Sequence, residues 1–417
     1  MMDKTVYRKK PRALSDCYSV ADLRELARKR LPYPIFHFLD GGGDDEFTLR
    51  ENTDAFDRVK LVPRTLIDVT TVKTATRVLG QEIAWPVFCS PTGATRFFHG
   101  EGELAVARAA AKAGTMYGVS VVATHSLEAV AAESNGPKLY QLYIFKNRDV
   151  TRDMIERCKK ARFSALCLTV DGAVPGNRER DLHTGWGVKI KLSMSSALSF
   201  AAHPGWLTGL WRNGPISMPN IAAQTGTTSI ASHMQFLGQQ LDPSVSWKDL
   251  REFIELWGGP FAVKGVVAAD DVRRAADVGA TAVMLSNHGG RQLDGAVSPI
   301  EVLPEIAKAL GHEIEIILDG GVRRGTHVLK ALALGAKACS MGRPYLFGLS
   351  AGGEAGVTKA LDMLRSEFVR AMRLSGCVDV AQIDSTLVRQ CYEVGSAATG
   401  LGSGVHRPRV RIDKELV

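Results

Sequence analysis

The chain has 417 residues, 45% of them hydrophobic and 23% charged, with a formal net charge of +8. That balance belongs to a globular protein with a large core, and it favours anionic partners such as phosphate, a carboxylate or an acidic membrane surface. Nucleic acid is not expected as a partner, because no basic run is interleaved with aromatics and no zinc-finger spacing occurs.

The N-terminus, MMDKTVYRKKPRALSD, has no apolar core and does not read as a signal peptide. Seven cysteines are scattered without a C-x-x-C pair, which suits reduced thiols in a cytoplasmic compartment. No cluster has metal-ligand spacing, so no metal is expected. Residues 1–84 carry the amphipathic stretch SVADLRELARKRL and the turn DGGGDDE, and are expected to form a helical cap.

From Trp85 a short apolar run alternates with an amphipathic stretch. The runs are WPVFCSP (85–91), MYGVSV (116–121), LYQLYI (139–144), ALCLTVD (165–171), FAVKGV (261–266), AVMLSN (282–287), IEIILDGG (314–321) and ACSMGR (338–343). Continuous apolar runs fit strands buried on both faces of a parallel sheet. Eight of them alternating with helices predict an α/β fold, a (β/α)8 TIM barrel over residues 85–376. A doubly wound open sheet is the alternative, but no early G-x-G-x-x-G turn supports it. Residues 192–241 fall after strand 4, and their only charged side chain is Arg212. They read as a long, mobile, irregular insertion at the barrel mouth. Residues 377–417, with GSAATGLGSG, read as a flexible tail.

On a barrel, the C-terminal strand ends form the active face. Nearly every run delivers a polar group there: Pro91, Thr92 and Gly93; Ser120; Gln141 and Tyr143; Thr169, Asp171 and Arg178; Lys264; Ser286, His288 and Arg291; Asp319, Gly320, Gly321 and Arg323; Gly342 and Arg343. A lone Thr or Gln is more often a satisfied structural residue, but a ring on one face is not. The last two loops, with a helix start at Gly325, suit a phosphate. Two tight turns with solvated arginines are the bland alternative. Lys264, a cation at a strand end, needs an anionic partner, either a ligand or a plain ion pair with a carboxylate such as Asp319. Asp171 beside His288 makes a base, and Arg178 with Arg291 makes a bidentate clamp for a substrate carboxylate.

The segments LPYPIFHFLDGGGDDEFTLREN, SPTGAT, QLYIFKNR, LTVDGAVPGNRERDL, VKGV, SNHGGRQLD, LDGGVRRGT and GRP occur in that order. Together they resemble the FMN-dependent L-2-hydroxy acid dehydrogenases and oxidases, over about Val20 to Val394. The resemblance implies bound FMN and oxidation of a 2-hydroxy acid to the 2-oxo acid. Electrons would pass to an acceptor such as quinone, cytochrome or oxygen. It makes His288 the base, Asp171 its partner, and Tyr143 a hydrogen-bond partner of the substrate hydroxyl. Lys264 would stand by the flavin N1 and O2, with Pro91, Thr92 and Gly93 on its N5 side. Ser120, Gln141 and Thr169 would meet the ring. Asp319, Gly320, Gly321, Arg323, Gly342 and Arg343 would hold the ribityl chain and phosphate. The glycines of SNHGGRQLD would let the backbone approach the flavin, with Ser286 in the same cofactor-binding loop. One departure falls on the substrate: where the family pattern has a tyrosine, this chain has Phe38. The resemblance further implies a homotetramer, and the composition of the insertion suggests a peripheral contact with the cytoplasmic membrane face. The contact would use Trp206, Leu207, Leu210 and Trp211, with Arg8, Lys9, Lys10 and Arg12 adding attraction to anionic lipid. A lid over the active site is the other reading of that segment. Three other functions remain open: a peroxide-forming oxidase, an FMN enzyme acting on a hydroxy or amino acid within a larger molecule, and a flavin carrier without turnover.

Overall fold

A computed structural model describes residues 10–186 and 193–390. All eight apolar runs are strands: β1 (Val87–Thr92), β2 (Tyr117–Ser120), β3 (Lys138–Leu142), β4 (Ala165–Thr169), β5 (Phe261–Val266), β6 (Ala282–Leu285), β7 (Glu315–Asp319) and β8 (Ala338–Met341). They close into one parallel barrel in chain order, with β8 paired to β1. The runs lack alternation because both faces are covered: one packs on helices, the other fills the barrel.

The barrel interior separates into two layers. Phe88, Leu139, Cys167, Met284 and Ile317 fill the lower part, joined by Val78, Leu79 and Ile83. Those last three come from an antiparallel hairpin, Thr76–Val78 with Gln81–Ile83, which plugs the bottom. Its two-residue turn, Leu79 and Gly80, has φ +49° and +74°, a twist that matches the strands it joins. With the lower interior apolar and sealed, the polar side chains of the strands collect at the upper end.

The cap is helical as predicted: α1 (Val20–Arg30), α2 (Tyr33–Asp40) and α3 (Phe47–Asp54). Ser19 caps α1 by accepting from the Asp22 amide, and Arg28, Lys29 and Arg30 oppose the negative dipole end. α2 and α3 lie over the rim. Asn52 and Asn287 exchange side-chain hydrogen bonds of 2.8 and 2.7 Å across that contact. Close approach there requires glycine. A Cβ on Gly321 (φ +74°) would lie 1.7 Å from the Asn52 carbonyl, and one on Gly290 (φ +72°) 2.5 Å from the Leu49 amide nitrogen.

The segment after β4 is not an irregular loop. It folds into helices Met194–Ala201, Pro204–Arg212, Pro219–Thr225 and Ile230–Gln240. The scarcity of charge that suggested a loop goes with apolar side chains that are buried in part, at Met218, Ile221 and Leu237. The Arg96 guanidinium donates to the carbonyls of Asn213, Gly214 and Pro215, and the Trp206 indole donates to Phe97 O at 2.7 Å. Among the described residues, no helix is long and apolar enough to cross a membrane. The expected tail also begins later than predicted, since Val388–Gln390 pairs antiparallel with Val59–Leu61. GSAATGLGSG, Arg8 and Lys9 lie outside the described residues.

Candidate active site

Lys264 is buried on β5, with Nζ 2.9 Å from Asp319 Oδ2 and 2.9 Å from Ser286 Oγ. Asp319 accepts from Ser286 and Ser90, each at 2.8 Å, and from Ser340. Burial alone would raise this carboxyl, but Lys264 and the hydroxyls overcome it and hold Asp319 down to about 2. Burial would likewise discharge Lys264, and Asp319 with Asp171 keeps its affinity for the proton above the ordinary lysine value. The ion pair weighed as one reading of Lys264 is therefore present. Asp319, expected along the ribityl chain, directs its carboxylate into this cluster.

His288 Nδ1 lies 2.8 Å from Asp171 Oδ1. Burial works against the Asp171 charge, and His288 followed by Lys264 outweighs it, leaving the carboxyl below its usual range. His288 has φ +59°, a left-handed conformation uncommon outside glycine, and its amide donates to Ser286 Oγ at 3.0 Å. The seat for Asp171 is made by Gly265, where β5 shifts register. A Cβ there (φ +103°) would sit 2.5 Å from Asp171 Cγ. Tyr143 stands beside this loop, near Gly172. Burial, then Asp171, pushes its phenol up to about 12, so it remains a donor.

The Phe38 ring stacks on Phe98 and lies within cation–π reach of two guanidiniums, that of Arg178 at 5.6 Å and that of Arg291 at 5.3 Å from its centroid. Arg178 contacts Asp181 at 3.2 Å. Arg291 donates to the carbonyls of Phe38 and Gly41 at 2.9 and 2.8 Å, and Arg343 donates to Leu39, Gly41 and Gly289. These acceptors cluster around the C-terminal end of α2, whose last carbonyls lack helical partners.

Among the described residues, Arg291, Arg323 and Arg343 make no ion pair. Burial and the charge of Arg343 bring Arg323 down to about 9, and burial brings Arg343 down to about 10. Arg323 and Arg343, near each other and with Asp40 acting on them only beyond ion-pair distance, fit a phosphate. The helix Gly325–Ala333 contributes less than predicted, because the Gly325 amide already donates to Glu367 at 2.9 Å.

The rest of the rim gathers as expected, with changes of partner. Ser120 donates to Gln141 at 2.7 Å, and Thr92 Oγ1 pairs with the Tyr345 hydroxyl at 2.5 Å. Thr169 is buried next to Lys264 across the ladder. Pro91 and Gly93 flank Thr92, and a Cβ on Gly93 would meet Val122 at 2.2 Å. Gly320 is left-handed at φ +120° and Gly342 adjoins Thr92. Gly290 abuts the cap backbone, so at that position the glycine serves docking of α3. Sequence reasoning missed Ser90, Ser340, Tyr345, Gly265 and Gln292. The last two stand inside VKGV and SNHGGRQLD, so their signal was on the page without a role.

A (β/α)8 barrel with a buried lysine, an unpaired arginine cluster at the last two strands and a histidine–carboxylate pair above them defines a flavin-dependent oxidoreductase. The FMN-dependent dehydrogenase family model matches residues 27–390. An L-lactate oxidase of Nostoc sp. is 40% identical over 381 residues, 90% of this chain and 99% of that one. A putative L-lactate dehydrogenase of Mycobacterium tuberculosis is 37% identical, over 92% of each chain. The solved structure of a monotopic membrane protein, (S)-mandelate dehydrogenase, superposes with a TM-score of 0.86 at 35% identity, covering 90% of this chain and 99% of that one. This chain belongs to the FMN-dependent dehydrogenase family: its cofactor is FMN and it oxidises 2-hydroxy acids.

Proposed function

We propose that this protein oxidises an L-2-hydroxy acid bulkier than lactate, with His288 as the base, at a membrane surface where quinone takes the electrons. The observation that carries the chemistry is the His288–Asp171 contact of 2.8 Å, on the same two loops as Arg178 and Arg291. Asp171 accepts from the Nδ1 proton and leaves Nε2 free to take a proton from the substrate. Arg178 and Arg291 hold the substrate carboxylate, and Tyr143 donates to the oxygen on Cα. FMN, when bound, supplies the acceptor for the two electrons. Arg323 and Arg343 would hold its phosphate. Lys264, Ser120, Gln141 and Thr169 would meet its ring beside Pro91, Thr92 and Gly93. His288→Ala tests the base: the FMN should stay bound while anaerobic reduction by substrate falls by about 10²–10⁴-fold. A near-normal rate removes His288 from the reaction.

Phe38 supports the bulkier substrate. Near both guanidiniums it offers an apolar ring but no hydroxyl, and a hydroxyl donating to a carboxylate contributes roughly 1.5–3 kcal/mol. Small acids lose that hydrogen bond with little to replace it, whereas larger ones recover affinity by packing. Phe38→Tyr should lower the KM for lactate more than for an aromatic 2-hydroxy acid. Equal effects on both would end this reading.

Exposed apolar side chains on the insertion support the membrane contact. Met194, Leu198, Leu207 and Trp211 face solvent, Trp211 at 83%. Trp206 turns inward and serves as a tether. Substituting Leu207 and Trp211 with Ser should abolish co-sedimentation with anionic vesicles, and unchanged binding would discard the anchor. A homotetramer at the cytoplasmic face is part of the same proposal, resting on family resemblance, and sedimentation velocity tests it. Peroxide produced in step with turnover would replace quinone by oxygen as acceptor.

A further inference from the structure

The base and the clamp are each divided between the same two loops. Asp171 and Arg178 follow β4, whereas His288 and Arg291 follow β6. These strands are not neighbours, since β5 lies between them, so no sheet ladder sets one loop against the other. The Gln292 side chain spans the gap. Its Nε2 donates to Asp171 O at 2.7 Å and to Val174 O at 3.0 Å, and its Oε1 accepts from the Gly176 amide at 2.9 Å. Three backbone groups of one loop are thus held by one side chain of the other. The fit is close: a Cβ on Gly176 would lie 2.3 Å from Arg291 O. The Gln292 loop is itself anchored two residues on, where Asp294 accepts from the Phe47 and Thr48 amides at the start of α3.

We infer that Gln292 is a positioning residue for the oxidation: its amide holds the Asp171–Gly176 segment so that the His288–Asp171 pair and the Arg178–Arg291 clamp stay in register. It bonds through both faces of its amide, so each face gives a separate test. Methionine keeps the length and loses all three hydrogen bonds. Glutamate keeps the acceptor for Gly176 but, when ionised, turns an oxygen toward two carbonyls. Protonated glutamic acid regains a donor.

The measurements use the FMN-loaded enzyme. Gln292→Met should keep FMN and global fold, yet lose about 10- to 100-fold in the rate of flavin reduction, the scale expected for misplacement of about an ångström. Binding of oxalate, read by perturbation of the flavin spectrum, should weaken in parallel, and Gly176 amide exchange should quicken. For Gln292→Glu, the reduction rate relative to wild type at the same pH should rise as pH falls from about 6 to about 4, because a glutamate carboxyl, ordinarily about 4.3, gains its proton there. The ratio cancels titration common to both proteins. Gln292→Met within twofold of wild type overturns the inference, and so does a Gln292→Glu ratio that does not change with pH. The inference rests on the reading of His288 as base. If His288→Ala is silent, that reading falls; if His288→Ala is inactive and Gln292→Met is silent, only the role of Gln292 falls.

Discussion

Arg323 shows most plainly what the rim is for. Its Nη1 donates to Val322 O at 2.8 Å, and the charge that acts on it most is another cation, Arg343, which outweighs Asp40. A half-buried guanidinium facing a like charge costs stability in the absence of an anion and contributes affinity when one binds. Arg323→Met should therefore leave the FMN-free protein at least as thermostable as wild type, while removing roughly 1.5–3 kcal/mol of FMN binding, the range for a charged hydrogen bond. Thermal shift with and without FMN measures both. Unaltered FMN affinity would take the phosphate away from Arg323. The same logic separates Arg323 from Lys264, whose charge has its own buried carboxylate and does not depend on a ligand for neutralisation.

Among the elements, the helical insertion is the one whose attachment can be traced to a few side chains. The helix Pro204–Arg212 ends in carbonyls without helical partners, and Arg96, just beyond β1, satisfies those of Asn213, Gly214 and Pro215. Asn220 adds a second tie, accepting from the Leu127 amide at 2.8 Å. Arg96→Ala should free the first tie at a local cost of about 1–3 kcal/mol per buried group left unsatisfied. Limited proteolysis should then cut within 193–240 faster, with the barrel intact. An unchanged cleavage pattern would mean that the apolar contacts of Met218 and Ile221 suffice. This attachment also bears on the exposed Trp211, since a membrane anchor transmits its position to the rim only through a helix fastened there.

For the whole molecule, the buried carboxylates set the acid limit. Asp319 is held down to about 2 in the folded chain against an ordinary 3.8, and Asp171 and Asp40 are also depressed. A depressed carboxyl contributes stability that is complete above its unfolded value and lost as pH falls through the folded one. Acid unfolding followed by circular dichroism should therefore steepen from about pH 4 to about pH 2. Asp319→Asn leaves Lys264 without its charge partner and should cost roughly 3–5 kcal/mol at neutral pH, the scale for breaking a buried pair. Its deficit against wild type should narrow as acid protonates Asp319 in the native protein. A constant deficit at every pH would mean that the pair does not carry the acid sensitivity.

Much of this was legible from one dimension. A double-sided apolar run can satisfy its burial only in a covered parallel sheet, so eight of them already specify the barrel, and a polar residue closing each run already specifies the rim. The segment SNHGGRQLD, with LTVDGAVPGNRERDL, already points to one site holding His288, Asp171, Arg178 and Arg291. What the tertiary structure alone decided was which groups answer which. Local pattern cannot tell that Asp319 turns into the Ser90, Ser286, Ser340 and Lys264 cluster, that Glu367 takes the Gly325 amide, or that Gly290 makes room for Leu49. Each of those partners is far away in sequence, and its position follows from closure of the barrel and docking of the cap. The insertion was misread as a loop for the same reason. Its last two helices bury Ile221 and Leu237, and that burial, absent from a segment considered alone, helps to make a Gly- and Pro-rich stretch helical.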